Sequence, residues 1–323
     1  MHNSGLDWEG YLDGLVERAG SLTAVAEHVA ARRRHTESIQ TIERGLRRLR
    51  SRGNKQGGVW GQRLLRIYGL PEDIDERIRW MGQYHTRFTD LPASLGVELL
   101  RPWDQPPVTD SPARIWIHLG YASIALRRRD KTVADAHIDQ AVHALHTAPV
   151  AAQIETRLVR AYRLARRDPP TSIGLLDEVK PLLDDAELRG DDRSCLRARW
   201  VDQVAWRYNL GIGAAIDYPR AEAMYRALPL KDVPPFARCR RENGLGWSRL
   251  NQGDRASAVI HARNSVMHAG DGGSLRLRAM ALNLLANAAG DEEARAARAR
   301  AVEIAKRLED ETLRLRCVPR QAV

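Results

Sequence analysis

The chain has 323 residues, 43% of them hydrophobic, enough for about two globular domains. Its 51 Lys+Arg against 41 Asp+Glu give a net charge of +10, a balance that suits nucleic acid without establishing it. Three scattered cysteines (Cys195, Cys239, Cys317) argue against a disulfide framework or a zinc cluster; no apolar run approaches the roughly 20 residues of a membrane span, and the first residues lack the pattern of a secretory signal, so a cytoplasmic protein is expected.

Residues 7–19 carry apolar Trp8, Tyr11, Leu12, Leu15 and Val16 at helical spacing, and Gly20 ends that helix. Ser21 is an N-cap for a second helix, with Leu22, Val25, Ala26 and Val29 on one face. A basic turn, Arg32-Arg33-Arg34-His35, follows. Thr36 is expected to cap a third helix from Glu37 to about Arg50, with apolar Ile39, Ile42, Leu46 and Leu49. Between Arg32 and Lys55 stand nine basic residues, opposed only by Glu37 and Glu43. Three short helices with a compact second one resemble a helix-turn-helix DNA-binding domain over about residues 6–52, although the turn between helices two and three is longer than usual. That resemblance implies phosphate contacts from Arg32, Arg33, Arg34, Arg47 and Arg48. It implies base-edge contacts from Thr36, Ser38, Gln40 and Thr41 with Arg44. The expected domain spans residues 1–58, its last stretch a flexible basic loop.

Residues 59–101 read as connecting helices, one over 59–68 and one from Glu72 to about Phe88, the second with Ile74, Ile78, Trp80, Met81 and Tyr84 as apolar contacts. The stretch 102–112 holds four prolines and is the expected linker.

From 113 to 323 the chain alternates helical segments with breaks that carry Asp: Asp130, Asp168, Asp217, Asp254 and Asp291, spaced 38, 49, 37 and 37 apart. Aligned on that Asp, position −9 holds Tyr121, Val159, Tyr208, Leu245 and Leu282. Position +4 holds Ala134, Ser172, Ala221, Ala258 and Arg295. An apolar residue before the turn and a small one after it describe stacked helix pairs. Asn243-Gly244-Leu245-Gly246-Trp247, then Gly253-Asp254, then Ala258 resembles a tetratricopeptide repeat (TPR), although the period exceeds that family's 34 and Arg295 breaks the small column.

The expected fold is all-α: a helix-turn-helix-like bundle followed by a TPR-like superhelix of about five helix pairs. The resemblance implies an open concave groove lined by Arg157, Gln203, Trp206, Arg207, Arg240, Asn243, Trp247 and Asn251, which would receive a peptide or protein.

No P-loop, GxSxG or HExxH occurs, and Gly211-Ile212-Gly213 follows a helix, so no enzymatic activity, metal or cofactor is expected. His143 and His146, and His261 and His268, read as solvated or packing residues. The whole resembles bacterial helix-turn-helix–TPR regulators. Such a regulator would bind DNA and a peptide or protein, would have no membrane partner, and as a dimer would read a palindrome. The alternative is an adaptor or inhibitor of an effector protein, its basic patch meeting an acidic partner.

Overall fold

The computed structural model describes residues 6–32, 37–53, 56–106 and 108–318. They are helical throughout, with no strand among them. The head contains α1 (Trp8–Ala19), α2 (Leu22–Arg32), α3 (Ile39–Arg50) and α4 (Gly58–Tyr68). Asp7 caps α1 by accepting from the backbone of Glu9 and Gly10, and Ser21 accepts from Ala24 at the start of α2. These satisfy donors a helix start would otherwise leave unpaired. α3 begins later than expected, at Ile39, because Ser38 is its cap and accepts from the Thr41 amide; Thr36 lies outside the described residues.

One core joins Leu12, Leu15, Val25, Ala26, Ile42, Leu46 and Leu49 with Leu64 and Leu65 of α4. The helix read as the start of a connector therefore completes the head. Gly45 explains how α3 and α4 approach: a Cβ there would overlap the Trp60 ring.

The helix expected over 72–88 stops early, as α5 (Glu72–Gly82), and a strap holding a single 3-10 turn (Arg87–Asp90) runs to α6 (Ala93–Leu100). α5 packs on α7 (Arg114–Arg128), with Gly82 against the Trp116 backbone. The proline-rich stretch also packs: Val108 and Ser111 are buried, and Asp110 accepts from Gln62 at 2.7 Å.

Helix pairs then follow: α8 (Lys131–His143), α9 (Val150–Leu164), α10 (Pro169–Leu182), α11 (Gly190–Leu210), α12 (Tyr218–Arg226), α13 (Pro235–Asn251), α14 (Arg255–Asp271), α15 (Leu275–Ala288), α16 (Asp291–Arg307) and α17 (Glu311–Cys317). The conserved-spacing aspartates have a plain role. Asp130, Asp168, Asp217 and Asp254 are N-caps of α8, α10, α12 and α14, each accepting from the third helical amide. In the fifth unit the cap is Gly290, one residue before Asp291. Shifting that unit by one puts Ala294 in the small column in place of Arg295.

α7, α9, α11, α13, α15 and α17 contact one another in succession, while the even-numbered helices lie against them from outside. α17 then returns to α7. The array thus closes on itself, where an open superhelix was expected. The closure is bonded: the Ala93 amide donates to the Leu308 carbonyl at 3.2 Å, the Thr312 hydroxyl to the Leu126 carbonyl at 2.7 Å, and Arg128 pairs with Glu309 at 3.2 Å.

Candidate functional site

Two places gather chemistry. The first is the outward face of α3. Its apolar side (Ile42, Gly45, Leu46, Leu49) is buried in the head, which leaves Ser38, Gln40, Thr41, Arg44, Arg47, Arg48 and Arg50 exposed. Arg47 pairs with Glu43 and Arg50 with Asp13, both at the surface. Arg44 and Arg48, one turn apart, and Arg32 at the end of α2 make no ion pair among the described residues. Glu37, the other acid of this stretch, is taken by Arg63 at 2.6 Å. The Ser38 and Thr41 hydroxyls lie 3.0 Å apart and bond each other. Arg33 and Arg34, expected in the same surface, lie outside the described residues.

The second place is the interior of the closed array, and the eight residues expected to line a groove do not form one surface. Arg157 is held by Glu178 at 2.9 Å, and Gln203 donates to the Leu158 carbonyl at 3.0 Å, so both stitch neighbouring helices. Arg207 is buried and donates to the Ser172 hydroxyl. Asn243 is buried, with its side-chain nitrogen unpartnered. Trp206 and Trp247 are half-buried, with Arg166 over the Trp206 ring at 5.8 Å; Asn251 is exposed. Only Arg240 faces the centre, and there it meets the chain's own strap.

That strap, residues 83–92, is held by every layer of the array. The Tyr84 amide donates to Glu155 of α9 at 3.0 Å. The Tyr84 hydroxyl is met by Arg240 of α13 at 2.8 Å and by Arg276 of α15. Arg199 of α11 lies over its ring at 4.4 Å, with Arg276 at 4.9 Å and Arg240 at 5.4 Å. His85 Nε2 sits 3.0 Å from Asp192 of α11, which also takes Arg79 and Gln83. Asp90 accepts from the Ser274 hydroxyl at 3.1 Å and the Arg276 amide at 2.8 Å. The Leu91 carbonyl accepts from Arg127 of α7 at 2.7 Å.

The arginines are balanced: Arg199 by Glu155, Arg240 by Asp202, and Arg276 by Asp310, with Arg127 beside the same Asp310. Buried charges persist only when so paired. Burial pushes the Tyr84 phenol up, but Arg276, Arg240 and Arg199 together outweigh it and bring it down to about 8. His85 is driven the other way: burial first, then Arg199 and Arg79, lower it to about 3, so its ring is neutral. Burial works to raise Asp310 as well, and Arg276 overcomes it to hold the carboxyl below its ordinary range.

Sequence reasoning missed Tyr84, His85, Arg199 and Arg276, because their partners lie far off in the chain. His137 Nδ1 lies 3.2 Å from His118 Nδ1 on α7, a second pairing across helices that local spacing does not announce. No group of three His, Cys, Asp or Glu among the described residues is placed to hold a metal ion, and no described helix is long and apolar enough to cross a membrane. The three cysteines are buried and unpaired with one another. Comparison with protein-family models, with curated proteins and with solved structures gives no match for this chain.

Proposed function

We propose that this chain is a DNA-binding regulatory protein, non-enzymatic, whose head contacts the duplex through α3 and whose helical array, TPR-like in design, serves a protein or peptide partner or a second copy of the chain. One observation carries the DNA reading: α3 buries one face in a self-contained core and leaves Gln40, Thr41, Arg44 and Arg48 together on the other, with both arginines free of ion pairs among the described residues. Guanidinium groups already neutralised by a carboxylate add little affinity for phosphate, so the unpaired ones matter most. Gln40, Thr41 and Arg44 stand in the first turns of α3, the part of a recognition helix that reaches base edges.

The test is fluorescence anisotropy of a labelled random duplex titrated with the full chain at several salt concentrations. Binding should weaken steeply with salt, and the pair Arg44→Glu with Arg48→Glu should abolish it while helix content by circular dichroism stays unchanged. Replacing the same two arginines by Gln should lower the salt slope by about 2, at about 0.9 per lost phosphate contact. Absence of binding at low salt, or binding indifferent to both pairs, rejects the assignment and leaves the adaptor reading, in which the same face meets an acidic protein.

A further inference from the structure

The strap between α5 and α6 has the chemistry of a bound ligand. Connecting segments ordinarily run over the surface, since a buried one needs partners for its backbone. This one buries Gln83, Phe88, Thr89 and Asp90 and finds partners on five helices that share no hairpin: α7, α9, α11, α13 and α15. Its own hydrogen bonds are local, from the Thr86 hydroxyl to the Trp80 and Gln83 carbonyls and from Thr89 to the Thr86 carbonyl. It is therefore a short prefolded piece seated on a surface made by the rest of the array.

The fit is incomplete. Buried side-chain atoms left without a hydrogen-bond partner gather at this seat: Nδ1 of His85, Oδ2 of Asp90, Nε of Arg127 and Nε of Arg240. Native interiors leave few such atoms, because each costs about 1–3 kcal/mol. Two of these atoms sit on the strap and two on the helices around it, and three of the four reach a polar neighbour only at 3.6–3.8 Å, so strap and seat meet with imperfect hydrogen-bond geometry.

We propose that the interior of the array is a receptor for a short peptide with one tight helical turn that carries a tyrosine and, six residues later, a carboxylate, and that residues 83–91 occupy it in cis as a displaceable internal ligand. The tyrosine station is made by Arg199, Arg240 and Arg276. The carboxylate station is made by the Ser274 hydroxyl and the Arg276 amide. Glu155 reads the backbone amide of the tyrosine itself. This rests on the reading of the array as the partner-binding part of the chain, and not on DNA contact by α3. A partner peptide would compete with the strap, and because the strap is continuous with α5, displacing it would loosen one of the ties between the head and the array, leaving those of α5 to α7 and of Gln62 to Asp110.

Two experiments on the full-length protein test this. A displaceable segment must leave without global unfolding, so native-state hydrogen exchange should show amides of 83–91 opening more readily than those of α11 and α13. Exchange of these amides only with the whole molecule overturns the proposal. Second, a fluorescein-labelled peptide of residues 79–93 is titrated into wild type, Tyr84→Ala and Tyr84→Phe. The weakened cis ligand should let Tyr84→Ala bind the peptide one to one and at least about tenfold more tightly than wild type. Substituting Tyr84→Ala and Asp90→Asn within the peptide should weaken binding by about tenfold or more. If Tyr84→Ala does not fold, Tyr84→Phe, which removes only the hydroxyl, should still bind the peptide more tightly than wild type. Peptide binding to neither variant, or equal binding of the intact and doubly substituted peptides, overturns the proposal. Duplex anisotropy on the same samples keeps the two readings apart, since loss of DNA binding leaves these results untouched.

Discussion

Tyr84 carries the largest single consequence at the level of one side chain. Its hydroxyl is ionised in the fold from about pH 8, whereas in an unfolded chain it keeps its proton to about 10. The fold sheds that proton first, so this group adds stability as pH rises from 8 to 10. Two pH units correspond to roughly 2–3 kcal/mol at most. Urea unfolding at pH 7, 9 and 10 should show the gap between wild type and Tyr84→Phe widening with pH. Tyr11 and Tyr225, raised by burial, push the other way in both proteins and cancel in the difference. A gap constant with pH would place the phenol outside the influence of the three arginines. His85 gives the mirror case at acid pH. Held near 3 in the fold against an ordinary 6.5, it is neutral where the unfolded chain is charged, so stability falls as pH drops from 6.5 toward 3. Between pH 6.5 and 5, His85→Asn should flatten the decline by up to about 1.4 kcal/mol per pH unit; an unchanged slope would mean that the ring is already protonated in the fold. Neither role can be read locally. Tyr84 sits 156 and 192 positions from the arginines that meet its hydroxyl, and in sequence it is one more apolar spot on a helix.

Elements were legible wherever their cause was local. The recurring aspartates stood out because an N-cap needs a short acceptor at one fixed place, and four pairs use the same solution. The small column followed for a similar reason: Ala134, Ser172, Ala221 and Ala258 are fully buried where two helices meet closely. The fifth pair misled because Asp291 looks like a cap and is the first helical residue. Asp130→Ala, at a cap whose carboxylate has no second partner among the described residues, should cost about 1 kcal/mol in thermal or urea unfolding. Gly290→Ser should gain a few tenths, because Gly290 has an extended backbone and open space where a Cβ would go. Equal effects at the two positions would remove capping as the reason for the spacing. The end of α5 was misplaced for a non-local reason: Gly82 lies against the Trp116 backbone, and the Tyr84 amide turns to Glu155 and away from its own helix.

The whole molecule departs furthest from what its repeats announce. A stack of helix pairs is quasi-one-dimensional, each unit touching its neighbours, and its ends fray first. Here the ends meet. Residues 308–312 are tied to α7 through Arg127, Arg128 and Thr312 and to the start of α6 through Ala93 and Ser94. Asp310 is shared by Arg276 and Arg127 and is almost fully buried. Removing such a group strands two buried cations. A repeat pattern contains no instruction for this, because closure depends on the small rotation between successive pairs, summed around the array, and no residue spacing records that sum. Closure makes α7 and α17 neighbours, so unfolding of one should expose the other, and the array should unfold as a unit in place of peeling from its ends. Ending the chain at Leu308 tests this. With α17 gone, hydrogen exchange should rise first in α7, α8, α15 and α16 and then in the strap, and the urea transition should broaden with a smaller m-value. A truncated chain that keeps one sharp transition, with the strap as protected as before, would show that neighbour-to-neighbour stacking alone holds the array and that the contact between its ends is incidental.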